Sequence, residues 1–233
     1  MYKGYKIRPP FFEVGPKAFL YGEDMLKLAL AVEAAAEKYD VDIIVTPQYS
    51  DIRLLARHTR RIHIYAQHMD WLPVGRGIGS VLPEALKAAG AVGVMLNHTE
   101  RRLSMEDIKK TIERADKVGL ATIVCADTEE EIAEIAALGP NLIAAEPAQV
   151  IGTGSGSDLD YAARTIQKVR SINSEIMVLQ GAGIRDGGDV YNVIKAGACA
   201  TGSTSGIIKA RNPCAMVDEM VCALRRAWDE THS

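Results

Sequence analysis

The feature that most limits what this chain can fold into is an alternation: eight short apolar runs and eight longer amphipathic segments follow one another from end to end, without a composition shift that would mark a linker. The apolar runs cover 10–14, 41–46, 62–67, 91–96, 121–125, 142–145, 176–180 and 198–201, and the spacing predicts helices over 22–39, 51–58, 82–89, 105–117, 127–138, 158–170, 188–196 and 213–228. Ser104 and Thr128 stand where a hydroxyl can cap the first turn of a helix. Runs apolar at consecutive positions belong to strands buried on both faces, as parallel strands are, and strict strand–helix alternation demands a parallel sheet. The pattern therefore predicts an α/β protein, a single (β/α)8 barrel domain over 1–233, slightly smaller than the ~250 residues usual for that architecture. An open doubly wound sheet is the competing arrangement. With only 6% aromatic residues, the core falls to Ala, Ile, Leu and Val, which fill helix-on-strand layers.

Charge and cysteine usage narrow the partners. A net charge of -3 with scattered Lys and Arg offers no positive field for a nucleic acid. The four cysteines form no C-x-x-C pair and have no metal-ligand spacing to the five histidines, so a reduced, cytoplasmic setting is expected. No stretch approaches the ~20 apolar residues of a membrane span, and residues 1–6 lack the apolar run of a secretory signal.

In a barrel of this kind the working residues lie where strands run into the following helices, so eight junctions need to be searched. After the fourth run, His98 precedes Thr99-Glu100. Near a helix N-terminus it would stay neutral and could polarise a carbonyl; its alternative role is to hydrogen-bond its own loop. After the sixth run comes Glu146, whose desolvation at the barrel mouth would raise its pKa toward that of a general base, unless it is a salt-bridge partner at the rim. Pro147 and Gly152-Thr153-Gly154 then frame a short apolar segment with the composition of a hinged lid. After the seventh and eighth runs, Gly181-Ala182-Gly183-Ile184 and Gly202-Ser203-Thr204-Ser205-Gly206 are either tight connections or a phosphate cradle. Lys17, in Gly15-Pro16-Lys17, is a surface cation or a neutraliser of phosphate and enolate charge. The coincidence of all five groups at strand ends favours the catalytic reading.

These residues resemble one family, triosephosphate isomerase, and most closely its compact archaeal-type members, over nearly the whole chain. His98-Thr99-Glu100-Arg101-Arg102 is similar to the family's His-Ser-Glu-Arg-Arg, and Glu146-Pro147 followed by Ile151-Gly152-Thr153-Gly154 matches its glutamate and lid. The segments Ala66-Gln67-His68 and Val81-Leu82-Pro83-Glu84-Ala85 also look like the compact members. The resemblance implies a TIM barrel that interconverts a small aldose phosphate and ketose phosphate through an enediolate, without cofactor or metal. It implies Glu146 as base, His98 as electrophile and Lys17 as cation, with phosphate held around Ile151, Gly152, Gly183, Thr204 and Ser205. The division of labour between a glutamate base and a neutral histidine is a known pattern of this reaction.

Two departures from the family pattern stand out. The lysine is preceded two residues earlier in the family by a substrate-contacting asparagine, and here that place is Gly15, which would make room for a longer sugar such as a tetrulose phosphate. Where the family carries a threonine before the glycine of the loop that reaches into a neighbouring subunit, this chain has Gly77-Ile78-Gly79; a homo-oligomer, dimer or tetramer, is still implied. A barrel that binds a phosphorylated metabolite without converting it is the reading from another class. Phosphate-binding barrels that make aromatic amino acids or histidine are a third, disfavoured because they do not call for a Glu-Pro lid ending in Ile-Gly-Thr-Gly.

Overall fold

Eight strands of four to six residues, in the order β1 Phe11–Val14, β2 Asp42–Val45, β3 His63–Ala66, β4 Gly93–Leu96, β5 Ala121–Ala126, β6 Leu142–Ala145, β7 Met177–Gln180 and β8 Ala200–Ser203, pair in parallel with their sequence neighbours. β1 also pairs with β8, so the sheet closes into a barrel without a free edge. This computed structural model describes residues 1–147, 159–181 and 183–232. The open doubly wound sheet is thereby excluded, and all eight expected strands are present.

The helices outside the barrel are α1 Gly22–Tyr39, α2 Ile52–His58, α3 Pro83–Ala89, α4 Met105–Val118, α5 Glu129–Leu138, α6 Leu159–Ile172, α7 Gly187–Lys195, α8 Ser205–Ile208 and α9 Pro213–His232. Ser104 and Thr128 cap α4 and α5 as expected, accepting from the N–H groups of Asp107 and Glu131. Only the one-turn α8 and a 3₁₀ turn at Tyr49–Asp51 were not foreseen, because elements of three or four residues are too short to show a period.

Strand alternation builds two apolar layers. Phe11, Ile44, Tyr65, Ile123, Leu142 and Leu179 point into the barrel, whereas Phe12, Val14, Ile43 and Val45 point outward against the helices. Each such side chain fully removed from water contributes about 1.5–3 kcal/mol. β1 therefore sends Phe11 and Glu13 toward the axis, and the chain then passes through Gly15 to a turn at Lys17 at the open end of the barrel.

Candidate active site

A cavity of about 450 Å³ opens at the C-terminal ends of the strands, within the ~300–1,000 Å³ of ordinary small-molecule sites. Its lining includes Lys17, His98, Glu146, Gly183, Thr204 and Ser205, residues that are up to 188 positions apart in sequence. The structure thus gathers the expected cation, imidazole, carboxylate and glycine-rich turns around one space. Ile151 and Gly152 of the expected lid lie outside the described residues, as does Ala182.

Lys17 follows the end of β1 with a left-handed backbone, φ 50°, a conformation that a non-glycine residue holds only when its surroundings impose it. Two glutamine side chains do so. Gln48 and Gln67 both donate from Nε2 to the Lys17 carbonyl, at 2.9 and 2.8 Å, and Gln67 also donates to the Thr46 carbonyl at 2.9 Å. The Lys17 ammonium is then fixed by a 2.7 Å ion pair with Glu100 from the β4 junction. Glu100 is a site residue to which sequence reading assigned no role, although it stands inside the quoted His-Thr-Glu motif.

His98 lies in a turn before α4, not in the first turn of a helix, since α4 starts only at Met105. Its pKa is still lowered, by burial first and then by the neighbouring Lys17 charge. The Glu100 backbone N–H donates to Nδ1 at 3.1 Å, which assigns Nδ1 as acceptor and leaves the ring proton on Nε2. The expected neutral imidazole is therefore present for a different reason: desolvation and a lysine replace a helix dipole. Asn97, also left-handed at φ 58°, holds this turn by accepting from the Leu103 N–H at 2.9 Å and donating to the Cys125 carbonyl at 2.9 Å.

Glu146 follows β6 and keeps the ladder through its N–H to the Ala126 carbonyl, 3.0 Å. Burial raises its pKa to about 7, with Lys17 opposing and Asp127 adding to the rise. Among the described residues it forms no salt bridge. A general base works best with its pKa near the working pH. Gly181, at the end of β7, is a glycine because a Cβ there would run into the Glu146 carboxylate.

The seventh and eighth junctions are clamped together. Ser203 Oγ donates to the Ile184 carbonyl at 2.9 Å, and a Cβ on Gly206 would stand 2.6 Å from the Arg185 carbonyl oxygen, so only glycine lets the two turns approach. Gly183 takes φ 80°, and Thr204 leads into α8, whose first residue is Ser205. Lys209, one residue past α8, also lines the cavity and was missed as a site residue because its sequence context is an ordinary helix end.

A glutamate escaped notice altogether. Glu13, read as part of an apolar run, is 7% exposed, lines the same cavity and accepts from Thr46 Oγ1 at 3.0 Å. The space expected at Gly15 for a longer sugar is not free: a Cβ there would lie 2.9 Å from Glu13 Oε1 and 3.1 Å from Thr204 Oγ1. A charged residue inside an apolar strand run, four residues before Lys17, was the signal that could have revealed it.

The comparison with known proteins decides the family. Residues 17–202 match the family model described as triosephosphate isomerase. The chain belongs to the triosephosphate isomerase family. It is 42% identical over 195 residues to a triosephosphate isomerase of Methanobacterium bryantii, covering 82% of this chain and 86% of the relative. The corresponding enzyme of Methanothermus fervidus is 36% identical over 203 residues, covering 86% and 91%. That of Saccharolobus solfataricus is 33% identical over 226 residues, covering 95% of this chain and 99% of the relative. The segment matched to the triosephosphate isomerase model begins at Lys17, so Glu13 and Gly15 lie just ahead of it.

Proposed function

We propose that this chain is a cofactor-independent isomerase that interconverts dihydroxyacetone phosphate and glyceraldehyde 3-phosphate. The observation that carries the reading is the convergence on one cavity of a carboxylate with its pKa near 7, a neutral imidazole presenting Nε2–H, and an ion-paired lysine. Glu146 removes a proton from the carbon next to the carbonyl and returns it to the neighbouring carbon. The electron pair of that C–H bond forms the carbon–carbon double bond while the carbonyl π pair moves onto its oxygen, and the resulting enediolate is stabilised by His98 Nε2–H and the Lys17 charge. His98 carries the second proton between the two oxygens, so no atom is gained or lost. The phosphate is held at the turns of Gly183, Thr204 and Ser205, with Lys209 as a nearby cation.

We extend the proposal to self-association. The loop after Asp70 exposes Val74 at 69% and Ile78 fully, an apolar projection suited to burial against a second copy. Its base is fixed, because Asp70 accepts from the Val81 N–H at 2.6 Å and lies 3.3 Å from His68. No helix among the described residues is long and apolar enough to cross a membrane.

The test is solvent deuterium exchange followed by NMR, with dihydroxyacetone phosphate, glyceraldehyde 3-phosphate and phosphorylated tetruloses as the panel. Exchange with interconversion of the trioses is expected, and Glu146→Gln should abolish it while the circular dichroism spectrum is kept. Exchange with tetrulose phosphates alone would transfer the reading to a longer sugar. Binding of the esters without exchange would make the barrel a binding protein.

A further inference from the structure

We propose that Glu13 is a substrate-contacting acid of this site, whose Oε2 donates a hydrogen bond to an oxygen at the reacting end of the sugar phosphate. The proposal rests on the isomerase reading above and adds a residue to it.

Three observations carry it. First, Glu13 is more than nine-tenths buried and lines the cavity, with Oε1 accepting from Thr46 Oγ1 and with Oε2 making no hydrogen bond to the described residues. Oε2 is not sealed in the protein interior, so a carboxyl oxygen without a protein partner meets the cavity and is open to a ligand there. Second, the positions flanking this residue are glycines. A Cβ on Gly202, its register partner on β8, would lie 2.8 Å from the Glu13 Cβ and carbonyl oxygen and 2.9 Å from Oε2, and one on Gly15 would lie 2.9 Å from Oε1, so Gly15 in particular leaves room for the carboxyl. Third, Gly15, just past the end of β1, presents no side chain to the cavity, and the Glu13 carboxyl, two residues earlier, comes within 2.9 Å of where its Cβ would stand.

The protonation state suits a donor. Burial and then the Glu146 charge raise the Glu13 pKa to about 8, against the pull of the Thr46 hydroxyl and Lys17. The titratable groups facing it are Lys17 from the end of its own strand, Glu146 from β6 and Cys125 from β5; β2 and β8 present the hydroxyls of Thr46 and Thr204. Burial and the neighbouring Glu146 charge both favour the protonated, hydrogen-bond-donating form of Glu13. Above the raised pKa, Glu13 would lose the donor and place a negative charge beside the enediolate.

The experiment compares the intact wild type with Glu13→Gln and Glu13→Ala in kcat and KM for both triose phosphates, from about pH 5.5 to 9.5, and in calorimetric affinity for 2-phosphoglycolate, a stable mimic of the enediolate. Glutamine keeps an N–H donor and cannot ionise. Glu13→Gln should retain turnover within about tenfold and lose the alkaline decline near pH 8, whereas Glu13→Ala should lose about 10²–10³ in kcat. Wild-type-like kcat in Glu13→Ala, or an unchanged alkaline limb in Glu13→Gln, would overturn the proposal; the second result decides if the alanine variant does not fold. If the wild type converts no sugar phosphate, the isomerase reading fails separately. In that case a tenfold or greater drop in 2-phosphoglycolate affinity on Glu13→Gln or Glu13→Ala still supports the contact, and an unchanged affinity overturns it.

Discussion

Glu13 and Asp42 are two buried carboxylates on neighbouring, paired strands, and their pKa values move in opposite directions. Glu13 is in register with Ile44, two residues beyond Asp42, so along the strands they are only about 7 Å apart. Burial would raise Asp42 too, but His63 and Arg8 hydrogen bonds pull it well below the usual carboxylate range. The Arg8 N–H donates to it at 2.8 Å and the Arg8 and Arg61 guanidinium groups stand at 3.0 and 3.2 Å. At the other end, Glu13 and Glu146 have one cation, Lys17, acting on both, and that lysine is already paired with Glu100. The lower rim satisfies its charges and so contributes stability; the upper rim leaves two carboxyls short of partners and so stays reactive.

That contrast can be broken from either side. At the upper rim, Gly181→Ala pushes the Glu146 carboxylate off its position: a displacement near ~1 Å costs on the order of 10²-fold in kcat, with the melting temperature little changed. His98→Asn removes the Nε2–H donor and should reduce kcat by about 10²–10³-fold, read from steady-state kinetics with both triose phosphates. At the opposite rim, Asp42→Asn should leave kcat alone and destabilise the fold by roughly 1–3 kcal/mol, seen as a drop of about 2–4 °C in Tm per kcal/mol. If that variant lost activity without losing stability, the division between the two ends would be wrong.

The smallest effect sharpens the comparison through pH. Asp42 has a depressed folded pKa, so its contribution is present above the unfolded value of about 3.9 and is lost as pH falls further. Glu146 has a raised folded pKa, so its contribution is full below about 4.3 and is lost as pH rises through about 7. Glu146→Gln should therefore be inactive yet more resistant to heat than the wild type at alkaline pH, by on the order of 1 kcal/mol, and no more resistant at acid pH. A calorimetric Tm profile of both proteins across that range gives the answer.

Most of the barrel was legible because its signals are local. Four consecutive apolar residues in β6 and the amphipathic stripe of α1 announce strand and helix without any knowledge of neighbours. His98, Glu146 and Lys17 were legible because they stand at strand ends in short, specific motifs. Glu13 was not, because its chemistry depends on what surrounds it: in sequence it is one acidic residue in Phe-Phe-Glu-Val, and only the closure of β8 onto β1 puts Gly202 and Thr204 around it. Glu100 and Lys209 were passed over for the same reason, since an ordinary surface charge and a site charge look alike until the partner is known.

By itself, the amino-acid sequence determined the eightfold alternation, the α/β class with its parallel sheet and the resemblance to the family, all of which follow from short-range periodicity and contiguous motifs, whereas closure of the sheet rests on the pairing of β1 with β8. Only the tertiary structure decided which groups share the cavity and in which protonation state. The Nδ1 acceptor role of His98, the raised pKa values of Glu146 and Glu13, and the occupation of the space at Gly15 come from burial and Coulomb interactions among strands that chain order leaves far apart. Such interactions act over a few ångströms in space and are indifferent to separation along the chain, so no local pattern could have carried them.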